Sequence, residues 1–465
     1  MADSGDRYDI VILGGGSGGY ACALRAAELG NRVALIEKDK VGGTCLHRGC
    51  IPTKALLHAA EIADQANEAA TFGVRASFEG VDMAGVQAYK NKVVDRLWKG
   101  LQSTIASRKV DTIYGDGRLI SPTGVQVGDT IYEGAHVVLA SGSEARSLPG
   151  LAIDGQKVIT SDDAVRLDRV PGSVVILGGG VIGVEFASIW RSYGAEVTIV
   201  EMLPHLLPAE DEASSKLLER AFRRRGIAYQ LGSRFEEVKD TPDGVTVTLA
   251  GGKTLNAELM LVAVGRGPVS AGLGYEAAGV AMDRGFVLAD EYCRTSVPTI
   301  SAVGDLTPGP QLAHVGFGEG ILVAERVSGL TVTPIDYDGV PRIAYCDPEV
   351  ASVGITAATA AERGIATTEF TYNLGGNGKS VILQTQGAVK VIATAGEPGG
   401  QPGPVLGVHM VGARVGELIA EGQLIYNWEA LPLEVAQLIH PHPTQSEALG
   451  EAHLALAGKP LHVHA

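Results

Sequence analysis

One pattern occurs twice in this chain, 164 positions apart. The apolar run Tyr8-Asp9-Ile10-Val11-Ile12-Leu13 leads into Gly14-Gly15-Gly16-Ser17-Gly18-Gly19, a helical stretch to Leu29, Gly30 as a stop, a second apolar run from Arg32 to Ile36, and Glu37. The second copy runs from Val174 to Leu177, through Gly178-Gly179-Gly180-Val181-Ile182-Gly183 and a helix to Tyr193. It stops at Gly194, resumes from Glu196 to Val200, and ends on Glu201. In both copies the acid stands 23 positions after the first glycine, so the register is shared throughout. Strand, turn, helix and parallel strand in that order dictate an α/β fold, here with two Rossmann-like domains.

Each turn has the form G-x-G-x-x-G: Gly14, Gly16 and Gly19 in the first, Gly178, Gly180 and Gly183 in the second. The first glycine makes the strand-to-helix bend, the second lets a pyrophosphate approach the backbone, and the third lets helix pack on strand. The helix N-terminus then stabilises the anion, and the acids Glu37 and Glu201 are placed to hold a ribose hydroxyl. Glycine turns without a ligand would need the same coincidence twice, so two dinucleotides are expected. A carboxylate at Glu201 accepts from a free 2′-hydroxyl and repels a 2′-phosphate, which selects NAD over NADP. A chain holding two dinucleotides usually moves electrons between a flavin and a nicotinamide.

Composition narrows the remaining choices. At 465 residues the chain predicts about three domains, and an apolar share of 45% is ample for more than one core. Its 38 Lys and Arg against 53 Asp and Glu leave a net charge of −15, unsuited to nucleic acid. An acidic, polar start and the lack of a long apolar window point to neither export nor a membrane, hence to the cytoplasm. Five cysteines are a sparse count that suits a reducing compartment.

Between the repeats, Val110 to Val138 reads as short antiparallel strands, and Val137 to Ala140 leads into Ser141-Gly142-Ser143. A strand-rich piece after the second repeat closes with Leu259 to Arg266. Thr299 to Gly304 ends on Asp305, a helix follows from Gly316 to Val327, and a boundary falls near Pro334 to Pro341. The last section carries no dinucleotide motif, and its loop from Gly396 to Pro404 joins two strands.

Directly after Glu37 comes Gly42-Gly43-Thr44-Cys45-Leu46-His47-Arg48-Gly49-Cys50-Ile51-Pro52-Thr53-Lys54, with a helical run from Ala55 to Ala66 behind it. Thiols at a helix start favour the thiolate, as do the charges of Arg48 and Lys54. Residues five apart on a regular helix have Cα atoms about 8 to 9 Å apart, beyond disulfide reach, so a bridge requires distorted backbone. Gly49 and Pro52 permit it. A redox-active disulfide is the leading reading. Half a zinc site, for which no second Cys pair completes four ligands, and two unrelated buried thiols are the alternatives. Near the other end, His440-Pro441-His442-Pro443-Thr444-Gln445-Ser446-Glu447 sets an acid where it can orient a histidine ring for acid-base work. Alone, the segment reads first as a turn with exposed histidines. His462 and His464 read as solvated.

Taken together these residues resemble the pyridine nucleotide-disulfide oxidoreductases over nearly the whole length. The carriers are the first turn with Glu37, GGTCLHRGCIPTK, the second turn with Glu201, Gly304-Asp305, Leu312-Ala313-His314, and HPHPTQSE. The resemblance implies an FAD domain over 1–149, completed by a central segment 269–338, an inserted NAD domain over 150–268, and an α+β dimerisation domain over 339–465. It makes Cys45 the thiol that exchanges with substrate, Cys50 the thiol against the flavin, and His442 the base, positioned by Glu447 and acting across a homodimer. It places Thr44, Ser143, Gly265, Asp305 and Ala313 among the cofactor contacts, and Lys54 beside the flavin with Glu185 as its partner. No metal is implied. The nearest likeness is to members that oxidise dihydrolipoamide carried on the lipoyl domains of 2-oxo acid dehydrogenase or glycine-cleavage complexes, with NADH as product.

The chain departs from the family pattern at His47-Arg48, where Asn-Val is more usual, and at Val315-Gly316-Phe317-Gly318, where a charged, alanine-rich run is commoner. A reductase of a small disulfide such as mycothione or glutathione is the rival enzyme reading; Glu201 argues against the NADPH it would use. A mercuric reductase would add a Cys pair near the C-terminus, which is missing after Cys346. A flavoprotein with idle thiols, serving mainly as a binding scaffold, is the non-enzymatic reading. Cys22, Cys293 and Cys346, and likewise Trp98, Trp190 and Trp428, read as core residues.

Overall fold

The structure is a computed structural model, and it describes residues 7–463. The described residues divide into two compact units, one formed by 7–56, 84–146 and 265–337, the other by 57–83, 147–264 and 338–463.

The first unit is built on the strand Tyr8–Leu13, whose last four residues are buried. It pairs in parallel with Val33–Glu37 on one side and Thr130–Leu139 on the other, and these pair in parallel with Asp111–Tyr114 and Ile300–Ala302. A parallel sheet is covered on both faces, which is why Ile10-Val11-Ile12 and Val137-Val138-Leu139 are apolar without alternation. The expected short strands beyond it are Gly124–Val127, antiparallel to Thr130–Leu139, and Gly117–Ser121, antiparallel to Gly124–Val127. The strand nearest Val110, Asp111–Tyr114, instead joins the parallel sheet.

On this unit the helix Ser17–Glu28 crosses the helix Ala313–Val327 at glycine positions. A methyl group at Gly320 would lie 2.3 Å from the Gly18 carbonyl oxygen, and one at Gly316 would lie 3.2 Å from the Gly18 nitrogen. Gly316, within the run that replaces the commoner charged one, and Gly320 just beyond it therefore let the two helix backbones touch. Gly320→Ala is expected to destabilise the protein by about 1–3 kcal/mol through overpacking, measured as a lower unfolding midpoint. An unchanged midpoint would show that the crossing relaxes.

The second unit repeats the parallel core in the order Ala228–Gln230, Glu196–Val200, Ser173–Leu177, Leu259–Val262 and Val158–Ile159. It also holds a five-stranded antiparallel sheet: Arg342–Ala344, Glu349–Gly354, Val405–Gly412, Ala388–Thr394 and Thr367–Asn373. Val415, Ile419 and Ile425 from the helix Val415–Asn427, and Ala448, Leu449 and Ala452 from Glu447–Leu456, share one core with this sheet. The loop 396–404 joins two of its strands, as expected.

Cys22, Cys293 and Cys346 are buried, as is Trp190, and Trp98 packs against the first unit's core. Trp428 corrects the core reading: it caps the C-terminal end of Val415–Asn427 and is 75% exposed, because the helix ends before its ring can turn back to the sheet. His462 is exposed but tied, its ring 2.7 Å from the buried Glu451 carboxylate. His464 lies outside the described residues.

Candidate active site

The two glycine turns have the same geometry. Gly14 and Gly178 take φ of +113° and +109°, a region that only glycine enters freely. Glu37 accepts from the Gly15 N–H at 2.8 Å, and Glu201 from the Gly179 N–H at 2.7 Å. The second oxygen of each acid accepts the N–H two residues on, from Asp39 and Leu203, both at 2.8 Å. Each acid is thus fixed at the rim of its own turn. The helices that follow, Ser17–Glu28 and Val181–Ser192, start from Gly16 and Gly180 with no side-chain cap and no acid in the first turn. Space is open above Gly180, where a methyl group would meet nothing within 4 Å. An uncapped helix start with no acid in its first turn, and a carboxylate fixed at the rim of the turn, suits a dinucleotide pyrophosphate with its ribose.

The thiol segment has the break that a bridge between its cysteines requires. A short helix, Gly43–His47, holds Thr44 and Cys45 and ends at Arg48; after Gly49 alone, a new helix, Cys50–Glu68, begins and holds Lys54. The Thr53 hydroxyl donates to the Gly49 carbonyl at 2.7 Å and steadies the junction. Cys45 and Cys50 are half-buried thiols that share a hydrogen bond. That bond, followed by burial and the neighbouring Cys50 charge, holds the Cys45 thiol well above its ordinary range, while Lys54 pulls it down. Arg48, expected to act on the thiols, instead approaches Asp39 at 3.9 Å. His47 is tied to the Val41 carbonyl at 2.9 Å and meets the Trp98 ring edge-on at 5.8 Å.

Ser143 and Asp305 come together: the hydroxyl donates to the carboxylate at 2.5 Å. Arg266, beside Gly265, donates to the Ser143 hydroxyl at 2.8 Å and to its carbonyl at 2.7 Å. Ala313 opens the helix Ala313–Val327. In the other unit Glu185 is buried and accepts the Tyr345 N–H at 2.9 Å.

His442 is exposed, with Nδ1 2.8 Å from Glu447. The other Glu447 oxygen accepts the Thr444 N–H at 2.8 Å. Burial pushes the Glu447 carboxyl up, but the bonds from Thr444 and His442 and the charges of His442 and His440 outweigh it and hold the group below its ordinary value. An ionised acid therefore fixes Nδ1 and leaves Nε2 of an exposed ring to face a substrate, the arrangement of a general base.

Three participants were not legible in the sequence. Tyr20 feels both thiols and, by burial first, is pushed up to about 12; its place directly after Gly19 was the one available signal. Arg266 stands next to Gly265 but shows its role only through Ser143, far away in sequence. His440, in the loop before the last helix, pairs with Glu421 on the helix Val415–Asn427 at 2.8 Å, which no spacing rule reveals.

Comparison with known proteins adds to this geometry. Residues 8–320 match the model of the pyridine nucleotide-disulphide oxidoreductase family, and residues 340–453 match that family's dimerisation domain. The chain is 40% identical to a dihydrolipoyl dehydrogenase of Bacillus subtilis (strain 168), with 98% of this chain and 99% of that protein covered. It is 36% identical to a mitochondrial dihydrolipoyl dehydrogenase of Pisum sativum, covering 100% and 94%. Among solved structures it superposes on LpdA from Mycobacterium tuberculosis with a TM-score of 0.89 at 28% identity, covering 96% and 99%. The HOCl-induced flavoprotein disulfide reductase RclA from Escherichia coli gives 0.85 at 28% identity, covering 96% and 99%.

Proposed function

The chain belongs to the pyridine nucleotide-disulphide oxidoreductases, and on that premise we propose that it oxidises dihydrolipoamide to lipoamide and reduces NAD to NADH. The observation that carries this is full-length identity of 36–40% to dihydrolipoyl dehydrogenases in a chain that retains the Cys45–Cys50 thiols and the His442–Glu447 pair.

The dinucleotides FAD and NAD fit the two cradles, the first held by Gly14, Gly16, Gly19 and Glu37, the second by Gly178, Gly180, Gly183 and Glu201. Thr44, Lys54, Ser143, Asp305, Ala313, Gly265 and Glu185 are the further contacts we assign. When bound, FAD accepts two electrons from the dithiol and NAD carries them away.

The protein's own residues perform the thiol chemistry. Starting from the Cys45–Cys50 disulfide, His442 takes a proton from one substrate thiol, and the thiolate attacks the Cys45 sulfur, releasing Cys50 as thiolate. The second substrate thiol then displaces Cys45 from the mixed disulfide, closing the lipoyl ring and leaving a protonated Cys45. Glu447 fixes the tautomer of His442 and stabilises the imidazolium while it holds the proton.

The match to the family's dimerisation domain supports a homodimer, which we place in the cytoplasm with each base serving the opposite chain. Its partners are then the lipoyl domains of 2-oxo acid dehydrogenase or glycine-cleavage complexes. Among the described residues no helix is long and apolar enough to cross a membrane.

Cofactor selection tests the reading of Glu201, which argues against NADPH-driven reduction of a small disulfide. Glu201→Gln keeps an acceptor for the Gly179 N–H but removes the charge. It is expected to raise kcat/KM for NADP roughly tenfold while changing that for NAD less. An unchanged ratio in steady-state dihydrolipoamide assays would mean that selection lies elsewhere.

A further inference from the structure

Behind the exposed His442–Glu447 pair lies a second histidine-carboxylate pair that the thiol chemistry does not use. His440 is two residues before His442, but its ring points inward, with Nε2 2.8 Å from Glu421 on the helix Val415–Asn427. The ring's other nitrogen faces Gly450 on the helix Glu447–Leu456, so closely that a methyl group there would lie 2.6 Å from Nδ1. The imidazole therefore sits in a slot between two helices, with a carboxylate on one side and a bare backbone on the other.

The surroundings reinforce this placement. His453, one turn beyond Gly450, is 0% exposed; its Nδ1 is 2.7 Å from the Leu449 carbonyl oxygen, and its Nε2 has no protein partner. The charged and titratable groups that act on His440 are Glu421 on the first helix and Glu447 and His453 on the second. Glu421 first, and Glu447 further down, hold His440 above its ordinary value against its burial. His440 in turn helps keep Glu447 ionised.

We propose that the half-buried His440–Glu421 pair is a positioning device for the base. It pins the segment 440–447 between the two helices, so that His442 is presented to substrate and Glu447 to His442. The inference rests on the reading of His442 as the base. His440 touches no substrate on this account; it acts through the backbone it anchors and the charge it sets beside Glu447.

Two variants disturb the slot by different means. Glu421→Gln keeps an acceptor for Nε2 but removes the charge, and Gly450→Ala displaces the ring without changing any charge. Both are to be measured for NAD reduction by dihydrolipoamide across pH, and for NADH oxidation by ferricyanide, which bypasses the thiols and the base. Flavin content and dimer mass serve as controls for folding.

The expected result is a kcat roughly tenfold lower in both, a part of the roughly 10²- to 10⁴-fold that a positioned base contributes. KM for dihydrolipoamide and ferricyanide turnover should stay within about twofold, which a merely structural defect would not leave intact. In Glu421→Gln the loss should deepen as pH rises, because His440 without its carboxylate gives up its proton earlier; Glu421→Asp should restore the wild-type profile. Wild-type kcat and profile in a folded Glu421→Gln, beside an inactive His442→Gln, would overturn this inference alone. Activity retained by His442→Gln would overturn the base reading and this inference together.

Discussion

Cys45→Ser is expected to lower NAD reduction by dihydrolipoamide by at least about 10³-fold, because a hydroxyl can neither form nor release the mixed disulfide. The expectation follows from local geometry. Thr44 and Cys45 ride on the short helix Gly43–His47, Cys50 starts the next helix, and the break between them brings the two thiols into one hydrogen bond. Nothing else among the described residues offers a second exchangeable thiol near them, since Cys22, Cys293 and Cys346 are buried. NADH oxidation by ferricyanide should persist within about twofold in the same variant, because it needs the dinucleotide cradles but no thiol. Loss of both activities would indicate a folding defect, and retention of lipoamide turnover would remove Cys45 from the reaction.

His442→Gln is expected to reduce the same turnover by roughly 10²- to 10⁴-fold, the usual contribution of a positioned general base. Glu447→Gln should cost less, about ten- to hundredfold, because the ring remains but loses the anion that fixes its tautomer and stabilises its charged form. The structure supports this ranking. His442 is exposed and held at one nitrogen only, whereas Glu447 spends its second oxygen on the Thr444 N–H and has no path to substrate except through the ring. The Glu447 carboxyl, held below its ordinary value, stays ionised through neutral pH, and its support is lost as pH falls through its folded value. Steady-state rates over pH 5 to 9 check both expectations. A His442→Gln enzyme within threefold of wild type would contradict the assignment.

Local spacing made much of this readable in advance. The two turns, their acids and the helices after them follow from glycine positions, because a strand-to-helix bend at positive φ and a close helix start tolerate little else, and both copies have the geometry the spacing dictates. The need for a backbone break between Cys45 and Cys50 was likewise visible in Gly49 and Pro52. What sequence could not supply were pairings set by tertiary packing. Arg48 turns to Asp39 rather than to the thiols, and Arg266 reaches Ser143 across 123 positions. Trp428 breaks the rule that a tryptophan on an apolar helix is core, because the helix ends before the sheet can cover it. His440 and His442 look alike in sequence, yet one is packed between helices and the other faces solvent. A two-residue alternation carries no information about which ring turns inward until the helix bearing Glu421 is in place.

The central claim is that the dithiol substrate is dihydrolipoamide and the electron acceptor is NAD. The most direct test is a steady-state comparison on one preparation: dihydrolipoamide oxidation with NAD against reduction of mycothione and glutathione disulfides with NADH or NADPH. Rapid turnover of dihydrolipoamide with NAD, at least about 10²-fold above either small disulfide in kcat/KM, is the predicted result. Slow dihydrolipoamide turnover beside fast NADPH-driven reduction of a small disulfide would contradict it, and with it the selectivity assigned to Glu201.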